Sequence, residues 1–149
     1  MEKRTKLSTY FLISILVILI DQVVKLWIHF SMLEGEEFSV IGNWLKIHYI
    51  TNPGMAFGLQ IGGAYGKVFL TVFRLIAMVA IAIYIRKSYL EKVHSGFLVS
   101  VSLILGGAVG NLVDSIFYGK FLNLIVDKAP TPWFHGKVVD MFYLDIAQG

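Results

Sequence analysis

The sequence predicts an all-α protein that crosses a membrane several times and carries a small β element on one face. Hydrophobic residues make up 56% of its 149 residues, and the mean hydropathy is +0.70. Only 15% of the residues are charged, against about 25% in an ordinary soluble domain. Three apolar runs are each long enough to cross about 30 Å of hydrocarbon. We therefore expect one membrane-embedded domain over residues 1–149.

The first apolar run extends from about residue 10 to residue 30 and predicts a membrane-spanning helix. It follows Lys3, Arg4 and Lys6, an arrangement that also precedes the apolar core of a secretory signal peptide. The run continues past the usual length of such a core, and no small-x-small cleavage site follows it. A retained spanning helix is therefore predicted.

Two further runs, at about 66–85 and 95–117, predict the second and third spanning helices. Basic residues at the N-terminus and within 86–92 predict that these two ends lie on the cytoplasmic side. Segment 31–65 and the tail 119–149 are then expected on the outer side.

Part of the segment between the first two helices has the pattern of a strand. Between residues 44 and 51, apolar and polar side chains alternate, which is the periodicity of a half-buried strand. Asn52-Pro53-Gly54 follows and predicts a turn, since Pro fixes one torsion and Gly can take positive φ. We expect a small amphipathic β element on the outer membrane face.

Composition excludes several classes of site. The chain has no cysteine, so thiol nucleophiles, Cys-ligated metal centres and disulfides are ruled out. The histidines are scattered along the chain and predict no metal site. The basic residues lie at the ends of the apolar runs and form no stripe, so nucleic acid is not an expected partner.

The first run contains two charged residues, Asp21 and Lys25, on one helix face. Each charge costs about 2.5–3.5 kcal/mol at the middle of a membrane, so both side chains should face protein or water. Either an ion pair that holds helices together or a functional site would satisfy that requirement. Arg74, in the second run, fits a similar packing role.

The third run and the tail carry further polar residues. Gly106 and Gly110 form a small-xxx-small pair, which lets another helix approach closely. Asn111 and Asp114 follow on one face and resemble the wall of a polar pocket. In the tail, Asp140 lies within an otherwise apolar stretch.

Carboxylates in such surroundings allow two interpretations. Two that share one proton can serve as base and acid toward the same water, as in aspartic proteases. This favours an intramembrane aspartyl hydrolase. The alternative is a non-enzymatic polytopic subunit, such as a transporter half or an assembly factor, in which Asp21, Lys25 and Asp114 form an ion path or a packing lock.

Four motifs occur in order along the chain. They are Asp21-x-x-x-Lys25, Asn52-Pro53-Gly54-Met55-Ala56-Phe57-Gly58, Gly106-Gly107-Ala108-Val109-Gly110-Asn111-x-x-Asp114 and Val138-Val139-Asp140-x-Phe142. Their order and membrane placement resemble the bacterial lipoprotein signal peptidases (signal peptidase II) over essentially the whole chain.

The resemblance implies a monomeric four-helix enzyme of the bacterial inner membrane, with a β-cradle in 31–65 and the active site facing the periplasm. Such enzymes remove signal peptides from prolipoproteins just before a Cys that carries diacylglycerol, using two aspartates and neither metal nor cofactor. By motif, Asp140 corresponds to the first aspartate of the dyad. The remaining matches are site-lining positions at Asn52, Gly54 and Asn111, and supporting polar positions at Asp21, Lys25 and Asp114.

Two features depart from the family pattern. The family usually has Arg after the motif's Asp, where this chain has Ser115, so the ion pair expected there is absent. The second dyad aspartate lies in an Asn-x-Ala-Asp motif that opens a fourth spanning helix, and the sequence up to Gly149 contains neither. Asp145 does not match that motif. The resemblance therefore predicts a truncated chain that is inactive by itself.

Overall fold

A computed structural model describes residues 3–52, 66–125 and 133–144. Within these residues, three helices are long and apolar enough to cross a membrane, and three strands form one antiparallel sheet. The sequence prediction of a mostly helical membrane protein with a small β element is confirmed.

The helical elements are α1 (Leu7–Ser31), α2 (Gly66–Leu90), α3 (Ser95–Val113), a π-helical turn (Asp114–Tyr118) and the short α4 (Gly119–Phe121). The third apolar segment runs without interruption from α3 through α4, as one span of 27 residues. Helix α2 continues past the apolar run because Arg86 and Lys87 are good helix formers. It ends where the backbone of Lys92 turns left-handed, at φ 58°.

The strands are β1 (Glu37–Ile41), β2 (Leu45–Asn52) and β3 (Val138–Leu144), and β2 lies in the middle of the sheet. The alternating pattern that predicted a strand at 44–51 coincides with β2. Strand β3 was not predicted, because Val138, Val139, Met141 and Phe142 show no clean alternation around Asp140. It forms because β2 offers a free edge for backbone pairing, with Ile50 opposite Asp140.

Helices α1 and α3 approach each other at the glycines that the small-xxx-small spacing singled out. A Cβ atom on Gly106 would lie 2.6 Å from Val17 Cβ, and one on Gly110 would lie 2.3 Å from Asp21 Oδ2. Only glycine therefore permits this helix separation.

Two apolar clusters complete the packing. At the end of the bundle far from the sheet, α1, α2 and α3 bury Tyr10, Ile85, Leu98 and Leu105 against one another. At the sheet end, Ile28 of α1 packs with Tyr49 of β2 and Met141 of β3. The second cluster fixes the sheet against the end of α1.

The segment that leads into β3 lies across the π-helical turn. Backbone amides of Phe134 and Gly136 donate to the carbonyls of Ile116 and Ser115, at 3.2 and 2.9 Å. A Cβ atom on Gly136 would lie 2.2 Å from the carbonyl oxygen of Asp114. These contacts place β3 next to the turn and bury Ser115 completely.

Candidate active site

A buried ammonium group lies between α1 and α3 at the sheet end of the bundle. Lys25 Nζ donates to Asp21 Oδ2 (3.0 Å), to Asp114 Oδ2 (2.8 Å) and to Asn111 Oδ1 (2.9 Å). Lys25 is 1% exposed and Asp114 is 0% exposed. All three N–H groups of the ammonium thus have acceptors, which is the condition under which a buried charge is tolerated.

Gln22 and Tyr118 complete this polar cluster. The Gln22 amide nitrogen lies 3.0 Å from both Asp114 Oδ1 and the Gly110 carbonyl oxygen, and 3.2 Å from Asp21 Oδ2. Its amide oxygen accepts from the hydroxyl of Tyr118, which is buried. The cluster is therefore a network of polar groups that satisfy one another's hydrogen-bonding capacity around the fully buried Asp114.

The cluster also holds the strand that carries Asp140. Asp114 Oδ2 accepts a hydrogen bond from the backbone amide of Val139 at 3.1 Å. Val139 directly precedes Asp140 in β3. The buried carboxylate of Asp114 therefore fixes the backbone from which the exposed Asp140 side chain projects.

Asp140 lines a cleft of about 480 Å³ where the sheet meets the helices. Three residues of the buried cluster reach the same cleft, namely Asp21, Lys25 and Asn111. Its remaining lining is mostly apolar and comprises Ile50, Gly107, Val139, Met141 and Phe142. An exposed carboxylate thus lies in a cleft with one polar and one apolar part, which the ammonium group of Lys25 also lines.

Helix α2 contributes a second cation. The half-buried guanidinium of Arg74 interacts electrostatically with Asp140. One of its terminal nitrogens, Nη1, is buried and forms no hydrogen bond with any residue that the structure describes. The packing role predicted for Arg74 stays a prediction, and the structure adds an electrostatic interaction with Asp140.

The predicted site residues separate into three groups. The structure brings Asp21, Lys25, Asn111 and Asp114 together, and Asp140 shares a cleft with the first three. Asn52 ends β2, opposite Val138 of β3. Gly54 and Asp145 lie outside the described residues.

The sequence analysis missed Gln22 and Tyr118, and it gave Arg74 no place in the site. Gln22 had a detectable signal, since it is a polar residue inside the first apolar run and directly follows Asp21. Tyr118 had none, because a tyrosine at the end of a spanning helix is also typical of an interfacial anchor. Within residues 3–52, 66–125 and 133–144, no group of three or more His, Asp or Glu side chains is arranged to hold a metal ion.

Tyr49 is a titratable group outside the membrane-spanning segments whose surroundings shift its pKa. Burial raises the pKa of the Tyr49 hydroxyl, and the nearby Glu34 carboxylate raises it further. The hydroxyl lies 2.7 Å from His29 Nδ1 of α1. It therefore stays protonated at physiological pH and can donate to that ring nitrogen.

One solved structure and several known sequences are similar to this chain. A solved bacterial membrane enzyme, determined by the in meso method at 2.3 Å resolution, superimposes with a TM-score of 0.65 at 29% identity, covering 98% of this chain and 76% of that one. The lipoprotein signal peptidase of Amoebophilus asiaticus is 47% identical over 97% of this chain, and that of Porphyromonas gingivalis is 39% identical over 91%.

The chain spans 62% of the length of both of these relatives. The sequence profile of the family described as signal peptidase (SPase) II matches residues 13–148. That match includes residues 13–31 of α1, all of α3 and the strand with Asp140. The chain belongs to the signal peptidase II family.

Proposed function

We propose that the protein is an aspartic endopeptidase that removes signal peptides from prolipoproteins, just before the diacylglyceryl-modified Cys. Asp140 acts as one of the two catalytic carboxylates. The observation that supports this most directly is the exposed Asp140 side chain at the mouth of a cleft of about 480 Å³, in a chain of this family.

The chemistry requires a second carboxylate opposite Asp140. Two aspartates that share a proton let one take a proton from the attacking water while the other donates one to the leaving nitrogen. The family resemblance puts the second aspartate in an Asn-x-Ala-Asp motif, which residues 1–149 do not contain. We expect residues 1–149 alone to give no turnover, since Asp140 cannot fill both roles.

The cleft lining suits a lipid-modified peptide. Phe142 is 72% exposed and borders the cleft together with Met141 and Ile50, so acyl chains can pack against this apolar side of the cleft. The carboxamide of Asn111 lies at the same cleft and can bond a peptide backbone group.

The two cations near the cleft have different roles. Lys25 pairs with the buried carboxylate of Asp114, which accepts the Val139 amide, and so positions Asp140 through Asp114 and Val139. The half-buried Arg74 guanidinium contributes a favourable electrostatic interaction with Asp140 without forming an ion pair with it. It supplies a positive charge near Asp140, whereas the family pattern places an Arg at the position of Ser115, in the π-helical turn.

Active-site orientation follows from the basic residues at the other end of the bundle. With the N-terminus and loop 86–92 on the cytoplasmic side of the bacterial inner membrane, the sheet and Asp140 face the periplasm. Reporter fusions at Ser39 and Ser88 should report opposite sides of the membrane. Equal signals from both fusions would contradict this topology.

Replacing Asp140 with Asn tests the catalytic assignment. The intact protein and its Asp140→Asn variant are compared on a diacylglyceryl-modified precursor peptide in one membrane mimic. Loss of a general acid–base group should reduce the rate by at least about 10²–10⁴-fold. Glu91→Gln, at an exposed carboxylate on the far end of the bundle, is the matched control and should cleave normally.

Cleavage by Asp140→Asn within a few-fold of the parent would refute the assignment. Asp114→Asn provides a contrast, because Asp114 is fully buried and does not line the cleft. We expect that variant to lose folded yield more than activity per folded molecule.

A further inference from the structure

At the end of the bundle far from the sheet, the N-terminal segment, the α2–α3 loop and the start of α3 enclose a second, polar cavity. Its volume is about 530 Å³. Its cationic residues are Lys3, Arg4 and Lys92, and no acidic side chain lines it among the residues that the structure describes. None of the three cations forms an ion pair with a described carboxylate. The cavity therefore concentrates positive charge that has no carboxylate counterion among the residues that the structure describes.

The cation of Arg4 is held in place by α2. Its guanidinium stacks over the ring of Tyr89, with Cζ 4.0 Å from the ring centroid. The same group donates a hydrogen bond to the Tyr89 carbonyl oxygen. Tyr89 in turn packs edge-to-face against Tyr10, which lines the cavity. A long flexible side chain is thereby fixed at the rim before any ligand binds, which lowers the entropic cost of binding.

Lys92 occupies a position where the backbone favours glycine. It lies at the end of α2, where Lys92 N bonds Tyr89 O and Val93 N bonds Ser88 O. This is the Schellman arrangement, whose left-handed residue is usually Gly. Lys92 adopts φ 58° there, and such non-glycine residues are strained and cluster at functional sites. The lysine at this position therefore lines the cavity in a backbone conformation that costs local stability.

His94 adds a neutral donor to the cavity. Its Nδ1 accepts a hydrogen bond from Gly96 N at 3.0 Å. In the neutral ring the proton is then on Nε2, which can donate to a ligand. Three cations and a donor around an open polar cavity are suited to a phosphate group.

We propose that this cavity binds the phosphate headgroup of an anionic phospholipid in the leaflet at this end of the bundle. The surrounding spans are lipid-facing, with exposed apolar side chains such as Leu90 and Phe97 next to the cavity, so acyl chains can lie on the helices while the headgroup enters. In the topology proposed above, on which this inference rests, this end lies at the cytoplasmic leaflet, whose anionic lipids attract basic residues.

Native mass spectrometry of the intact protein in detergent tests the proposal, with phosphatidylglycerol and phosphatidylcholine as probes. We expect phosphatidylglycerol to be retained in preference to phosphatidylcholine. Lys92→Gly should weaken phosphatidylglycerol binding about fivefold, and adding Lys3→Gln and Arg4→Gln should weaken it about a hundredfold. Lys120→Gln, at an exposed lysine on the opposite end of the bundle, is the control and should bind normally.

Lys92→Gly separates loss of the site from loss of the fold. Gly is the favoured residue at this left-handed position. The melting temperature of the Lys92→Gly variant should therefore equal or exceed that of the parent, while its binding of phosphatidylglycerol falls. Equal retention of both lipids, or undiminished phosphatidylglycerol binding by the triple variant, would overturn the proposal. Displacement of the lipid by an equal concentration of inorganic phosphate would also overturn it, in favour of a soluble phosphate ligand.

Discussion

At the end of the bundle that carries the sheet, α1 and α3 meet through buried charged side chains, whereas at the other end they meet through apolar side chains. Lys25, Asp21 and Asp114 define the first region. Tyr10, Leu98 and Leu105 define the second, with a single hydroxyl bond from Ser14 to the Ser102 carbonyl oxygen near its border. Both regions join the same two helices.

The difference shows what each end has to do. Apolar packing in a membrane gains little from leaving lipid, since lipid tails are as apolar as the side chains. Such contacts tolerate small adjustments. A hydrogen-bonded charge cluster has one geometry in which every group is satisfied, and the protein uses it where β3 and Asp140 must be held in place.

The largest expected effect comes from Lys25→Met. It leaves Asp21 and Asp114 facing each other without the cation, and losing one partner of a buried ion pair costs about 3–5 kcal/mol. The free energy of unfolding in detergent, measured by denaturant titration, should fall by that amount. Lys6→Met, at an exposed lysine beyond the far end of α1, is the control.

A second variant sharpens this result. The double variant Lys25→Met with Asp114→Asn also removes one of the two carboxylates that repel each other. It should therefore regain part of the stability that Lys25→Met loses. If Lys25→Met alone unfolded no more easily than Lys6→Met, the cluster would not hold α1 and α3 together.

An intermediate effect is expected for Gly110→Ala. The new Cβ would lie 2.3 Å from Asp21 Oδ2, so Asp21 has to move, and overpacking of this kind costs about 1–3 kcal/mol. Gly107→Ala is the matched control, because a Cβ there meets nothing within 4 Å. It should keep or raise thermal stability, since Ala favours a helix by up to about 1 kcal/mol over Gly. Equal melting temperatures for the two variants would contradict the tight approach at Gly110.

A smaller effect with a distinct pH dependence is expected for Tyr49→Phe. At neutral pH the variant loses the hydrogen bond to His29, worth about 1 kcal/mol. The pKa of Tyr49 is raised in the folded protein, so the folded state keeps this proton to higher pH than the unfolded state. The stabilisation is therefore complete below the ordinary tyrosine pKa of about 10 and is lost as pH rises through the folded value.

Unfolding titrations from neutral to alkaline pH check this sign. The difference in stability between parent and Tyr49→Phe should shrink as the pH rises above about 10. A difference that grew with pH would show that the burial of Tyr49 has been misjudged.

The smallest effect is expected at the border of the apolar region, for Ser14→Ala. Its hydroxyl donates to the Ser102 carbonyl oxygen at 2.7 Å, and hydrogen bonds between spanning helices contribute about 0.6 kcal/mol on average. The control is Ser100→Ala, since the exposed Ser100 hydroxyl bonds only its own helix, at Gly96 O. If Ser14→Ala lowered the free energy of unfolding as much as Lys25→Met does, the contrast between the two ends of the bundle would be contradicted.

Much of the fold could be predicted because its signals are local. Apolar runs of 20 residues have no stable alternative to a spanning helix, and the alternation between residues 44 and 51 identified β2. Gly106 and Gly110 likewise marked the close helix contact. Strand β3 could not be predicted, because its pairing depends on the edge of β2, about 90 residues earlier in the chain.

The site was predictable only in part. Charged residues inside apolar runs have to be partnered, so Asp21, Lys25 and Asp114 could be found from the sequence. The rotation of α1 and α3 against each other decides which acceptor each donor contacts. It also decides that Gln22 and Tyr118 belong to the cluster.

By itself, then, the sequence determined the spanning segments and which polar residues require partners, because burial in lipid penalises an unpaired polar group wherever the chain places it. The tertiary structure alone decided that Asp114 holds the amide of Val139, that Asp140 faces the cleft, and that Arg74 lies near it. These relations join residues far apart in the chain, and their distances are set by helix packing and strand pairing, neither of which leaves a local signal.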